Sequence, residues 1–367
     1  MKKIVFGITS LGIGGAERVL VDIVNKLKEE YEITIFTLYK GGAFEKELDS
    51  KIKQISLYNK PYEEMSNFKR MIIPIYVLIC GKRIFNRYIK GKFDTEVAFL
   101  EGPITRIFKT KDNSKKIVWV HNDIRKVFGK SLKSKIKRKI DKKVYEKYNK
   151  IIFVSHDNKN AFDDIYNNIR TMEKENVIYN YIDSKRIIEK SQEIFENMDV
   201  IDRSKISIVT VARLVGQKAI DRLAKVHKML IDEGLEHNIY VIGDGPEKQK
   251  LIKLIKDLEI KETFKLLGKK ENPYPYIKKA DYFALLTYFE GYPMTVEEAK
   301  ILNKNIIITN TAAQEVVKDY NNKLILENNT QAIYEGLKKV LKKEITFNQK
   351  QNKYDNSYLL KDIKDII

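Results

Sequence analysis

Apolar positions along this chain switch repeatedly between two periods. Residues 3–9 form an apolar run that predicts a buried strand. Val19, Leu20, Ile23, Val24 and Leu27 then fall on one helical face, and residues 32–38 return to a β-branched strand pattern. The glycine-rich stretch 11–18, LGIGGAER, joins the first strand to the helix. This is a βαβ unit with its turn at the strand's carboxyl end, where open α/β sheets bind ligands. It is not the dinucleotide fingerprint, because Glu17 stands at the third glycine position after Gly12 and Gly14. Further strands are predicted over 95–100, 117–120 and 151–155. The plan then repeats over 206–211, 238–242, 264–267, 282–286 and 306–309, with a helix over 219–233. The pattern predicts an α/β chain of two Rossmann-like domains with a boundary near Asp183, their loop ends facing across a cleft.

Composition narrows this picture. A chain of 367 residues, 43% hydrophobic and 32% charged, fits two globular domains. A net charge of +19 points to acidic partners: nucleic acid, anionic lipid or phosphorylated substrates. Lysine, asparagine and isoleucine are abundant throughout, so part of that charge reflects general composition. The single Cys80 rules out an internal disulfide or a cysteine-based zinc site. Residues 1–7 superficially resemble a signal peptide, but the apolar run is short and the glycine turn follows it. The run 71–80, broken by Pro74, is about half the ~20 residues a spanning helix needs. A soluble or peripheral protein is expected, cytoplasmic or on the inner face of the cell membrane. Residues 68–92 mix apolar and basic positions, which suits either an anionic membrane surface or a core helix with a basic outer face. The basic helix predicted over 130–150 lacks the interleaved aromatics that stack bases, so nucleic acid is not expected as a partner.

The most informative stretch is 288–300, YFEGYPMTVEEAK. It follows a predicted buried strand, turns at Glu290 and Gly291, and places Pro293 where a helix would start. Helix amides around Met294 and Thr295 then offer a phosphate site, framed by Glu290 and, eight residues on, Glu298. A sugar nucleotide has matching hydroxyls and diphosphate; the plain alternative is a strand–turn–helix with two solvated glutamates. Arg213 and Lys218 flank a turn after another strand and together suit a diphosphate, unless they are ordinary surface charge. His121, at the end of strand 117–120, has the best context of the four histidines for contacting substrate. His156 comes second, and His227 and His237 read as helix and helix-end positions.

Together these pieces resemble retaining glycosyltransferase family 4, of GT-B fold and bacterial surface-polysaccharide type, over nearly the whole chain. The resemblance is carried by Glu290 to Glu298 in FEGYPMTVEEA, by VARLVGQKAIDRL over 211–223, by GGAERVL over 14–20 and by GDGP over 243–246, in the family's order. It implies that Arg213 and Lys218 hold the donor diphosphate and that Glu298 holds the ribose. Glu290 would contact the transferred sugar, and backbone at Gly291, Tyr292, Pro293, Met294 and Thr295 would bind phosphate and sugar. Gly14 and Gly15 would close onto the donor, Gly243 would face it, Gly268 would lie near the base, and His121 would reach the reacting centre. The implied domains are 1–183 on the acceptor side, 184–347 for the nucleotide sugar, and a segment 348–367 crossing back to the first. The implied activity is metal-independent transfer of a hexose-type sugar, with retention, to a lipid-linked or polysaccharide acceptor in capsule, lipopolysaccharide or other surface-glycan synthesis. The donor is a substrate rather than a cofactor, with a UDP-sugar foremost, although GDP- and ADP-sugars stay open. Peripheral association with anionic membrane is implied as well. A sugar-nucleotide epimerase or hydrolase on this fold, and a non-catalytic sugar-nucleotide-binding partner, are the alternatives. Ala219 departs from the family pattern, standing where glycine is common after the lysine; so do 312–315, 322–323 and Tyr179 and Tyr181 around Asn180.

Overall fold

A computed structural model describes residues 1–110, 112–127, 132–166, 175–194, 200–347 and 354–367. The first residues of the predicted basic helix and of the carboxyl-terminal segment, 130–131 and 348–353, lie outside the described residues. The chain divides into two compact units, residues 1–182 with 356–367, and residues 183–355.

The strands of the first unit are β1 (Lys2–Ile8), β2 (Tyr31–Tyr39), β3 (Lys53–Tyr58), β4 (Thr95–Ala98), β5 (Lys115–Val120), β6 (Lys150–Phe153) and β7 (Glu175–Val177). Among the described residues they form one sheet in the order β3-β2-β1-β4-β5-β6-β7, with every pairing parallel. Helices cover such a sheet on both faces, which is why these strands read as nearly continuous apolar runs. Val5, Phe36, Ala98, Val118 and Phe153 lie at its centre, fully buried. The terminal helix Ser357–Ile366 packs on this unit through Leu359 and Ile363. Asn356 Nδ2 donates to the Ile182 carbonyl at 2.8 Å, and Thr95 Oγ1 donates to the Ile367 carbonyl at 3.1 Å.

The second unit holds β8 (Ile206–Val211), β9 (His237–Ile242), β10 (Phe264–Gly268), β11 (Tyr282–Leu285), β12 (Asn305–Thr309) and β13 (Lys323–Leu326). Their order among the described residues is β10-β9-β8-β11-β12-β13, again all parallel. In each sheet the chain winds outward from its first strand, then returns to that strand's other side. The reversal lies between β1 and β4 in one unit and between β8 and β11 in the other. Loops leaving the carboxyl ends of such a strand pair diverge and open a crevice.

Residues 68–92 lie mostly in one helix, Asn67–Tyr88, capped by the Ser66 side chain on the Lys69 amide and continuous through Pro74. Ile73, Val77, Gly81, Ile84 and Phe85 face the core. Gly81 lets the helix approach its neighbour closely, since a Cβ there would lie 2.5 Å from the Arg106 carbonyl oxygen. The outer face carries Phe68, Met71, Ile72, Ile75, Tyr76 and Ile79, all exposed.

His237 does not end a helix; it opens β9, where it is fully buried against His227. His237 Nδ1 donates to the Leu235 carbonyl at 2.8 Å, so its Nε2 must accept from His227 Nδ1, also at 2.8 Å. Thr263 Oγ1 then donates to His227 Nε2 at 2.8 Å. Both rings are therefore neutral in the folded protein. Burial, with His237 as neighbour, holds His227 down at about 3, and burial lowers His237 as well. Their stabilising contribution is complete above the unfolded value near 6.5 and is lost as pH falls below it, because only the unfolded chain takes up the protons. Urea denaturation at pH 7.5 and pH 5.0 should show this unit losing about 2 kcal/mol from His227 alone. A His227→Gln variant should lose correspondingly less over the same pH interval.

Candidate active site

The loops at the β8/β11 reversal carry most of the predicted donor residues. After β8 the chain turns through residues 212–219 before the helix Ile220–Asp232. Backbone bonds hold this turn against the loop after β9: the Ala212 amide donates to the Ile242 carbonyl, and the Leu214 amide to the Asp244 carbonyl, each at 3.0 Å. The approach is too close for a side chain on the neighbouring loop. A Cβ on Gly243, whose φ is +148°, would lie 1.9 Å from the Ala212 carbonyl oxygen, and one on Gly245 would lie 2.4 Å from that of Leu214. The GDGP glycines thus seat the turn that presents Arg213, whose side chain is exposed. The Gly268 carbonyl accepts from the Gly243 amide at 2.9 Å, joining the third loop to the same layer.

Lys218 closes the turn, and its ammonium donates to both Glu290 oxygens, at 2.7 and 2.9 Å. Glu290 lies in the loop after β11 and is only 6% exposed. Gln217 Nε2 donates to the Phe289 carbonyl at 2.8 Å, and the Tyr288 amide to the Gln217 carbonyl at 3.0 Å. The loop is braced from below by Arg222. Its guanidinium donates to the Leu286 carbonyl at 2.7 Å and stacks 4.3 Å from the Tyr288 ring centroid. Sequence reasoning passed over Gln217 and Arg222, because neither departs from an ordinary polar turn or helix position until the loops meet.

Pro293 does not occupy the first helical turn; it is the residue that caps the helix Met294–Ile301. The Pro293 side chain makes no capping bond at that end, where the helix dipole is positive. Gly291, Met294 and Thr295 are partly exposed there. Tyr292 is committed locally, since its hydroxyl donates to Glu297 at 2.9 Å. Glu298 is buried in the helix and accepts from the Tyr274 hydroxyl at 3.2 Å.

His121 and the two amino-terminal glycines belong to the other unit, at its own β1/β4 reversal. Gly14 precedes the helix Gly15–Leu27 in extended backbone. A Cβ on it would meet the Glu17 carboxylate at 2.2 Å, so the glutamate that breaks the dinucleotide pattern folds over the space Gly14 leaves. Glu101, after β4, accepts the His121 and Asn122 amides at 3.1 and 3.0 Å. Burial raises both Glu17 and Glu101, and repulsion from Glu101 adds to the rise at Glu17. Glu101 was also missed; its position just past a strand's carboxyl end is the same signal that singled out His121. The His121 ring packs on Phe99 with centroids 4.9 Å apart. Burial lowers its pKa to about 3, opposed by a hydrogen bond to the Phe99 backbone. The ring is thus neutral, with a donor on one nitrogen and, on the buried Nε2, an acceptor that has no partner. A hydroxyl donor would complete it.

Among the described residues no group of three or more His, Cys, Asp or Glu side chains stands together to hold a metal ion. The chemistry available is therefore read from paired cations, a helix end and buried carboxylates in one unit, with a neutral histidine in the other.

Residues 191–358 match the family described as glycosyl transferases group 1. Across most of its length, the chain is 26% identical to a Campylobacter jejuni protein over 361 residues, 93% of this chain and 90% of the relative. That relative is named N-acetylgalactosamine-N,N'-diacetylbacillosaminyl-diphospho-undecaprenol 4-alpha-N-acetylgalactosaminyltransferase. An Escherichia coli O-antigen biosynthesis glycosyltransferase, WclY, is 24% identical over 84% of this chain and 80% of its own. In structure, Anabaena HepE in complex with UDP and glucose aligns with TM-score 0.69 at 15% identity, covering 94% of this chain and 91% of that one. Its likeness shows the shared fold: two parallel-sheet Rossmann-like domains of the GT-B class.

Ala219 explains one departure from the family pattern. It sits between turn and helix with φ +51° and ψ +35°, a left-handed conformation that suits glycine. Two substitutions at this layer should therefore act in opposite directions. Ala219→Gly should raise unfolding free energy by about 0.5–1 kcal/mol, the relief of left-handed strain exceeding the added chain entropy. Gly243→Ala should lower it by about 2 kcal/mol or more. Urea denaturation of both variants checks the pair.

Proposed function

We propose that this glycosyltransferase moves a hexose-type sugar from a nucleotide sugar, a UDP-sugar foremost, to a lipid-linked or polysaccharide acceptor in surface-glycan synthesis, with retention of anomeric configuration and without a metal. The observation that carries the reading is the Lys218–Glu290 pair at the β8/β11 reversal, with exposed Arg213 on the same turn as Lys218 and the amino end of helix Met294–Ile301 following Glu290. In transfer, the bond from the sugar's anomeric carbon to the phosphate oxygen breaks and its electrons stay with the departing nucleoside diphosphate. The acceptor hydroxyl oxygen forms the new bond to the anomeric carbon, and its proton passes to the departing phosphate oxygen. Charge grows on the phosphate as it leaves, and Lys218, Arg213 and the amides near Met294 and Thr295 stabilise it more in the transition state than before. Glu290 then bonds a hydroxyl of the transferred sugar, and Glu298 the ribose. In the first unit, His121 Nε2, neutral across the working pH range, is an acceptor suited to a substrate hydroxyl. Retention rests on the family resemblance, and the acceptor class on the names of the relatives.

Apo protein without added metal should be screened by thermal shift against UDP-, GDP- and ADP-sugars. One series should raise the melting temperature, and Lys218→Ala should abolish the rise. Lys218→Ala and Glu290→Ala should each cut transfer about 100-fold, the scale of losing one electrostatic stabiliser. Near-normal turnover in both variants would remove this site assignment, whereas release of free sugar or an epimer without acceptor would favour the hydrolase or epimerase reading.

The acceptor's carrier is a membrane lipid in this reading, and the outer face of helix Asn67–Tyr88 supports it. Phe68, Met71, Ile75 and Ile79 recur there at helical spacing, each more than half exposed, with Lys69, Arg70, Lys82 and Arg83 on the same helix. No helix among the described residues is long and apolar enough to cross a membrane. Binding would be peripheral, apolar side chains entering the headgroup boundary of an anionic bilayer. Sedimentation with vesicles of phosphatidylglycerol and phosphatidylethanolamine should fall at least ~10-fold for the double variant Met71→Ser, Ile79→Ser, with melting temperature unchanged. Equal sedimentation of both proteins would overturn this face.

A further inference from the structure

We propose that Tyr274 is a positioning residue that sets the Glu298 carboxylate for the donor's ribose, with Arg186 directing the tyrosine's proton. The inference rests on the reading of Glu298 as the ribose-binding group and adds the residues that orient it.

Glu298 is 8% exposed and sits within the helix Met294–Ile301. A buried carboxylate needs hydrogen-bond donors, and a flexible glutamate needs them in fixed places if it is to grip a diol. Tyr274 supplies one from a different helix, Tyr274–Lys279. Its ring is 6% exposed and its hydroxyl lies 3.2 Å from Glu298 Oε1. Arg186 Nη1 lies 3.5 Å from the same hydroxyl, with the guanidinium 6.0 Å from the ring centroid. A guanidinium can only donate, so the tyrosine oxygen receives from Arg186 and its own proton points to Glu298. The polarity of the relay, arginine to tyrosine to glutamate, is therefore fixed. Burial and the Glu298 charge both raise the Tyr274 pKa, so the proton stays in place.

The backbone that carries Tyr274 is held in turn. Its amide donates to Asn272 Oδ1 at 3.1 Å. Asn272 Nδ2 donates to the Lys190 carbonyl and to Glu193, each at 2.7 Å. Those partners end the helix Ser184–Lys190, which also carries Arg186. Three separated segments are tied together, and Glu298 accepts from the one hydroxyl they deliver. Such a brace serves a group that must meet a ligand at one orientation. The ribose fits, because its two neighbouring hydroxyls are donors that a fixed carboxylate accepts in a single geometry.

The test uses the full chain and whichever nucleoside diphosphate (UDP, GDP or ADP) corresponds to the donor series that shifts its melting temperature, together with the 2′,3′-dideoxy form of that nucleotide. Tyr274→Phe removes only the hydroxyl. By calorimetric titration it should weaken the ribonucleotide about 10-fold, the scale of one charge-assisted bond, and the dideoxy form by less than about 2-fold. At saturating donor, kcat should be nearly unchanged while KM for donor rises. Equal weakening of both nucleotides would mean a merely structural tyrosine and would overturn the proposal, as would no weakening of either. Glu298→Gln separates the two levels of the argument. If it discriminates between the nucleotides and Tyr274→Phe does not, positioning by Tyr274 is wrong. If Glu298→Gln treats both nucleotides alike, the ribose reading of Glu298 fails, and this proposal with it.

Discussion

One ion pair, Lys218 with Glu290, joins the two loops that carry the proposed donor residues. The loops leave adjacent parallel strands, β8 and β11, whose windings run in opposite directions and would otherwise part. Glu290 is buried enough that its charge requires a partner, and removing either residue would leave the other uncompensated. The same contact ties the turn after β8 to the loop after β11. Around it, Gln217 and Arg222 fix the backbone, and the glycines at 243 and 245 let a third loop support the turn from the side. The site is thus assembled from loops that each lack the full set of interactions.

The amino-terminal unit repeats the sheet plan with different electrostatics. At its reversal point a carboxylate, Glu101, holds two backbone amides rather than a lysine. Its histidine is kept neutral by burial, and a glutamate folds over the start of its first helix. The same sheet plan thus carries an ion pair at one reversal and a neutral histidine beside a carboxylate in the other unit, and the side chains, not the fold, make the difference.

Much of this was legible in the amino-acid order. Parallel strands buried on both faces leave apolar runs, and helices leave a 3.6-residue period, so the alternation of β and α segments could be read directly. Arg213, Lys218 and Glu290 drew attention because each follows a strand's carboxyl end by a few residues, where an α/β sheet places ligands, and Glu298 by its spacing from Glu290. The helix Asn67–Tyr88 was ambiguous for a physical reason: it is apolar on both faces over much of its length, so periodicity alone could not tell the buried side from the exposed one. Packing against the helix Pro103–Ile107 decides that, with Gly81 at the contact.

What the sequence by itself determined, then, was the class of fold, its two βαβ-type units and the residue types at the strand ends, because these follow from local periodicity and short-range spacing. Only the tertiary structure decided that Lys218 and Glu290, 72 positions apart, form one pair. It also decided that Tyr274 and Arg186 converge on Glu298, and that the GDGP glycines make room for a neighbouring turn rather than simply facing a ligand. His227 and His237 likewise become a buried neutral pair, with no role their spacing could suggest. Each of these depends on which strands lie side by side, and in a parallel sheet neighbours in space are separated by whole helices in the chain.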